Sequence, residues 1–363
     1  MSVKNNIQTK IPEIDALRGI AIILVVCHHT KSFWFLRDHP VFMENCWQSV
    51  NLFFILSGFS LAYPYLLNHK SLNSRQDVWQ YYKKRSHRLF PLLLISSVIG
   101  VYFRSHFEHD AFIDLLYAIS SFNIFTKEYF FPKVNDVLWS LSIEIWFSLF
   151  FVALLYVFRK KPLLTFVLFL IFSLGVRLYS INVITDYKYL NYVKDGFFGR
   201  IDDFIVGIFL CYIYTKQDFL KKIKWNIVYS VILMVLIYFI TQNNFSIWYT
   251  KLKTNNHGYH LAFMNNYTHF IIILLMLFYF TMNKCLKFIF QNYFLRMLGR
   301  MSFSIYIWHS FLVELFYEKI GNIENSDALL LAKFWLLTLV ISILTYRYIE
   351  FGHVNSWRKI FQN

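Results

Sequence analysis

The sequence predicts an all-α integral membrane protein of ten spans, and three observations carry that prediction. Hydrophobic residues make up 57% of the chain and charged ones only 16%, with a mean hydropathy of +0.43; soluble domains are about one quarter charged. Apolar runs near the 20-residue length of a membrane-crossing helix recur along the chain. Basic residues collect in alternate loops between those runs, the bias expected of cytoplasmic loops. Because apolar runs fill all 363 residues, one membrane domain over 1–363 is expected rather than two or three soluble ones.

The first run, 14–36, is too long for the apolar core of a cleavable leader and lacks a small-residue cleavage site, so it reads as the first span. The others lie at 47–67, 89–104, 137–158, 162–181, 198–215, 225–242, 261–282, 303–320 and 330–349. The third is short, and its helix is expected to outrun its apolar core. The stretch 112–126 (AFIDLLYAISSFNIF) is too short to cross and carries Asp114, so it reads as a re-entrant or interfacial helix. Counting it as a span would put Arg159, Lys160 and Lys161 outside.

With this count both termini are cytoplasmic. The inner segments then gather Lys83, Lys84, Arg85 and Arg88, Arg159 to Lys161, and Lys216, Lys221, Lys222 and Lys224, while the outer segments are sparse in Lys and Arg. The same placement accounts for the net charge of +15 without a nucleic-acid partner. Cys27, Cys211 and Cys285 lie in or beside apolar runs and Cys46 stands alone in a short loop, so four free thiols are expected. No phosphate loop, nucleophile elbow or metal-ligand spacing appears, and no metal is expected.

Ionisable groups inside spans cost a few kcal/mol each and are functional candidates by default. Arg18 and His29 are eleven residues apart, which at 100° per residue puts them on one helix face and about 16 Å apart along the axis. A cation at one mouth with an imidazole deep on the same face suits a tunnel for an elongated anionic ligand; the alternative is a snorkelling Arg and a packed His. His28 points about 100° away and reads as structural.

Glu144 lies about 10 Å inside its span, at a depth comparable to His29. A carboxylate beside an imidazole would orient the ring for general-base work; the alternative is a buried carboxylate bonded to the nearby Trp139 or Ser142. Arg85 and Arg88 share a helix face before Pro91, an arrangement that can clamp phosphates, although spacing alone favours the ordinary cytoplasmic bias that Lys83 and Lys84 illustrate. Arg200, Asp202 and Asp203 read as a neutralised cluster near the outer face, with a role in holding a polar acceptor as the second reading. His309 reads as a hydrogen-bonded core residue near the inner side of its span, and the Ser57–Gly58 pair permits close helix approach.

Taken in order, IDALRGIAIILVVCHH (14–29), FFILSGF (53–59), RSHRLFP (85–91), LWSLSIEIWF (138–147), RIDDFIVG (200–207), LGRMSFSIYIWH (298–309) and TYRYIE (345–350) resemble the bacterial acyltransferase type 3 family, membrane enzymes that modify surface polysaccharides. Phe351–Gly352 replaces the proline that usually follows the last motif. The resemblance covers nearly the whole chain. It implies a ten-helix domain in the bacterial inner membrane that moves an acyl group, usually acetyl, from cytoplasmic acyl-CoA to a hydroxyl of a glycan or lipid-linked glycan at the outer face. An O-antigen sugar of lipopolysaccharide is one such acceptor.

The family relationship implies that His29 is catalytic and that Arg18, Arg85 and Arg88 support activity and bind the coenzyme. His309 is assigned with them to the coenzyme; Ser142, Trp139, Arg200 and Asp202 are assigned to the acceptor. Acetyl-CoA is a co-substrate, with no tightly bound cofactor expected. Some relatives carry an extra C-terminal extracytoplasmic domain, and this chain is expected to lack one. In this reading His29 takes the hydroxyl proton, Glu144 orients the imidazole and the oxygen attacks the thioester, with an acyl-histidine relay as the other route. The competing class is a transporter or glycan exporter that uses intramembrane His, Asp and Glu as a proton relay. It predicts an inverted repeat, and none is visible.

Overall fold

The computed structural model describes residues 11–30, 46–104, 110–184, 187–216, 260–281, 290–320 and 328–350. Every regular element among them is helical. The predicted spans appear as α1 (Pro12–His29), α2 (Ser49–Leu66), α3 (Arg75–Phe103), α5 (Leu138–Lys160), α6 (Pro162–Val183), α8 (Phe197–Thr215), α9 (His260–Thr281), α11 (Ser302–Ile320) and α12 (Ala328–Thr345). The span predicted at 225–242 lies outside the described residues. Short helices α4 (Ala111–Ser120), α7 (Tyr187–Lys194) and α10 (Tyr293–Arg300) connect them, and a π-helical turn, Tyr346–Glu350, follows α12.

Five helices among the described residues are long and apolar enough to cross a membrane: Cys46–Leu66, Arg75–Phe103, Leu138–Lys160, Pro162–Val183 and Leu329–Glu350. Helices α1 and α8 fall outside that set for a physical reason. Each carries three charges in under twenty residues: Glu13, Asp15 and Arg18 in one, Arg200, Asp202 and Asp203 in the other. Length and apolarity thus support five of the ten expected spans among the described residues.

Local sequence sets the helix limits. Helix α3 starts upstream of its apolar core because Ser74 and Asp77 form a reciprocal cap, Ser74 Oγ accepting from the Asp77 N–H at 3.1 Å and Asp77 Oδ2 from the Ser74 N–H at 3.2 Å. Pro162 opens α6, where a missing N–H costs nothing. The 112–126 stretch does not form one helix: Ser121, at φ 60°, ends α4, and a 3₁₀ turn, Phe122–Phe125, follows. That break fits the expected non-spanning segment.

The bundle core is built where helices touch backbone to backbone. A Cβ at Gly207 of α8 would sit 2.0 Å from Ile55 O, and one at Gly58 of α2 2.3 Å from Phe204 O. Two small residues thus interlock these helices, as the Ser57–Gly58 pair predicts. Gly19 of α1 and Gly299 of α10 make the same kind of crossing. The crossings draw α1, α2, α8 and α10 together. Aromatic rings fill the space around them, with Phe147 stacked on Phe204 at 3.7 Å.

Candidate active site

One cavity opens between α1, α2, α3, α5 and α11. Its charged end holds Arg18, Arg88 and Glu144, its walls include Phe53 and Phe303, and Tyr306 and Ser140 stand at the far end. Arg18 Nη2 donates to Ser60 Oγ at 3.1 Å, and Asp15 lies 3.9 Å from its Nη1. Arg88 lines the cavity with its buried Nε unpaired among the described residues. Both arginines therefore face the cavity.

Arg85 is spent differently. It donates to Glu144 at 2.9 Å and to Ser148 Oγ at 2.8 Å, both across the α3–α5 contact. Glu144 also accepts from Ser57 Oγ at 3.1 Å. These partners correct the expectation that Glu144 orients His29. The two residues match in depth, but the carboxylate of α5 is turned towards α2 and α3. Glu144 is therefore the counter-ion of the arginine end.

His29 instead donates from Nδ1 to Val25 O at 2.9 Å. Its ring meets His309 edge-on, with centroids 4.9 Å apart, and His28 at 5.2 Å. His309 is fully buried and donates from Nδ1 to Tyr306 O at 2.6 Å. Its position separates it from the arginines assigned with it to the coenzyme. It is absent from the cavity lining, stands behind Tyr306 with ring centroids 5.5 Å apart, and shares the level of His29. The Tyr306 hydroxyl is 2.7 Å from Ser140 Oγ, and both residues line the cavity.

Beside the histidines, Asp136 accepts from Ser310 Oγ at 2.5 Å and from Arg104 at 3.2 Å, and Arg104 also pairs with Glu314. Burial works to raise the Asp136 carboxyl, but the Arg104 charge and the hydrogen bonds from Ser310 and Arg104 together outweigh it and hold the group below the usual carboxylate range.

The acceptor assignments fare unevenly. Ser142 is buried and donates to Asn123 Oδ1 at 2.7 Å, tying α5 to the 3₁₀ turn. Trp139 packs among Phe54, Phe130 and Phe131. Neither borders the cavity, because both point to the 110–131 side of α5.

Arg200 and Asp202 belong to a buried network, as the neutralised-cluster reading expects. Arg200 donates to Asp195 at 2.6 Å and to Asn51 at 2.7 Å, and Arg177 donates to Asp202 at 2.7 Å. His269 pairs with Asp203. Three cations, Arg177, Lys194 and Arg200, balance three carboxylates, Asp195, Asp202 and Asp203. Asp202, Asp203 and His269 bring ligand-type atoms within 4.8 Å of one another, but Arg177 and Arg200 already take up that negative charge.

Sequence reasoning passed over Arg177, His269, Tyr306 and Asp136. For the first two the signal was available, since each is an ionisable residue inside a predicted span. Asp136 precedes its span and Tyr306 is one of 25 tyrosines, so neither stands out.

A membrane bundle with paired intramembrane charges and a histidine pair behind a cationic cavity is the setting of an acyl-transfer enzyme, and the family comparison agrees. The acyltransferase domain family matches residues 11–347, and the chain belongs to it. Among named relatives, the "Putative O-acetyltransferase" of Staphylococcus aureus strain COL is 24% identical over 370 residues, covering 94% of this chain and 56% of that protein. The O-acetyltransferase OatA of S. aureus strain NCTC 8325 is 23% identical over 369 residues, with 94% and 56% covered. The peptidoglycan O-acetyltransferase OatA of Listeria monocytogenes is 29% identical over 163 residues, 41% of this chain and 25% of that protein. The chain thus spans about half the length of the full-length Staphylococcus relatives. No solved structure matches it significantly.

Proposed function

We propose that the protein is an O-acetyltransferase of the bacterial cytoplasmic membrane, with one acyltransferase domain of ten spans over residues 1–363 and both termini inside. It takes an acetyl group from cytoplasmic acetyl-CoA and delivers it to a hydroxyl of a surface glycan, such as an O-antigen sugar of lipopolysaccharide, at the outer face. The observation that carries the reading is a cavity lined by Arg18 and Arg88 together with the Tyr306–Ser140 pair, which His309 and His29 back.

Arg18 and Arg88 hold the coenzyme phosphates, and the planar Arg fork suits that task. Arg85 and Glu144 set the electrostatics of this mouth. The pantetheine arm lies along the apolar walls, and movement of Tyr306 opens the way to the histidines. His29 Nε2 takes the proton of the acceptor hydroxyl, the oxygen attacks the thioester carbon, and the C–S bond breaks. Family membership favours the enzyme over a proton-coupled transporter. The name of the Listeria relative makes peptidoglycan the second acceptor to test.

Purified protein given acetyl-CoA and a glycan acceptor should release CoA thiol and acetylate the glycan. Mass spectrometry of surface glycans from a deletion strain then identifies the acceptor, and glycans unchanged in acetylation would contradict the proposal.

A further inference from the structure

We propose that His309 is the proton-transfer partner of His29, receiving the proton that His29 takes from the acceptor hydroxyl and moving it towards the cavity that holds the thioester. The proposal rests on the acetyl-transfer reading above and adds a second catalytic base to it.

Hydrogen bonding sets the tautomer of both rings. His29 Nδ1 faces Val25 O at 2.9 Å, and His309 Nδ1 faces Tyr306 O at 2.6 Å and Ile305 O at 3.3 Å. A carbonyl oxygen only accepts, so each Nδ1 carries the hydrogen and each Nε2 keeps its lone pair. Two bases in the same tautomer thus stand 4.9 Å apart, centroid to centroid. His309 is 0% exposed and its Nε2 has no partner among the described residues. A buried acceptor without a donor is a standing cost, and a structural histidine would satisfy it.

Placement supplies the direction. His29 borders the end of α1, whereas His309 stands between His29 and Tyr306, and Tyr306 lines the cavity. Acetyl transfer consumes one proton from the hydroxyl oxygen and leaves a thiolate on the cavity side. The balance is R–OH + acetyl–S–CoA → R–O–acetyl + HS–CoA. The O–H bond breaks to His29 Nε2, the C–O bond forms, and the C–S bond breaks with its electron pair on sulfur. The proton passes from His29 Nε2 to His309 Nε2 and then to that sulfur. Both Nδ1–H groups keep donating to their carbonyl oxygens throughout, so both rings return to the starting tautomer.

The test uses the full chain in detergent or nanodiscs with acetyl-CoA and glycan acceptor. His309→Gln should slow transfer by about 10²–10⁴-fold with acetyl-CoA affinity retained. Imidazole and its methylated analogues should restore His309→Ala in the order of their basicity, an effect that a packing role would not produce. In the wild type, rates in mixtures of H₂O and D₂O should fall on a curved proton inventory, since two nitrogen-bound protons are in flight. His309→Ala at the wild-type rate, or a linear inventory, overturns the proposal. A wild type that binds acetyl-CoA but never releases thiol instead refutes the acetyl-transfer reading, and this proposal with it.

Discussion

Glu144 accepts a hydrogen bond from Arg85 Nη2 at 2.9 Å, which places the one carboxylate among the described cavity-lining residues in the service of the arginines. The pair joins α3 to α5 and is partly shielded from solvent, with side chains 14% and 25% exposed. Its members should behave as a unit. Arg85→Ala and Glu144→Gln should each lower thermal stability. The double variant should fall short of the sum, with a coupling of about 0.5–3 kcal/mol. Additive losses in a thermodynamic cycle would show that the two side chains act separately.

Arg88, in contrast, faces the cavity with its Nε unpaired among the described residues. Arg88→Lys should weaken acetyl-CoA binding although the charge is kept, because an ammonium cannot reproduce the planar fork. Arg18→Ala should act in the same direction. Binding should also fall as salt is raised. Calorimetric titration of the variants checks this, and unchanged affinity in both would remove the arginines from the coenzyme site.

The buried network at α6, α8 and α9 predicts a loss of a different kind. Arg177 is completely buried, and it donates to Asp202, Asn266 and two backbone carbonyls. Removing it as Arg177→Ala leaves Asp202 charged and unpaired, at a cost of about 3–5 kcal/mol. Protein yield and melting temperature should drop sharply. A stable Arg177→Ala variant with altered acceptor affinity would instead return this network to the acceptor site.

Much of this arrangement was legible in the sequence, and the rest was hidden for identifiable reasons. Apolar length located the described helices, and helix phase put Arg18 and His29 on one face, of which Arg18 lines the cavity and His29 meets His309. Phase within one helix says nothing about how the neighbouring helix is rotated, which is why Glu144 matched His29 in depth yet bonds to Arg85. Phase and depth within α11 were equally silent on which neighbour His309 meets. It lies seven residues into α11, about 10 Å from the start, and helix α1 ends at that level. Ser142 and Trp139 were drawn into the site by proximity to Glu144, but successive helix residues point in different directions, and theirs face the α4 side.

Sidedness is a separate claim. The ends of three helices meet where Tyr65, Arg159 and Lys216 line one recess, and Arg159 donates to Tyr65 O at 2.5 Å. The proposed topology puts that recess and Lys84 inside, with Asp110 outside. A membrane-impermeant thiol reagent should label a cysteine placed at Asp110 in cells with a permeable outer layer, and spare one at Lys84. The opposite pattern would put the coenzyme on the wrong side of the arginines.

The account depends most on His29. His29→Ala and His28→Ala should be purified side by side and their acetyl transfer measured with acetyl-CoA binding as the control. The prediction is that His29→Ala binds acetyl-CoA normally and loses about 10²–10⁴-fold in transfer rate, while His28→Ala transfers at a rate set by its abundance. Normal transfer by well-folded His29→Ala would contradict the account.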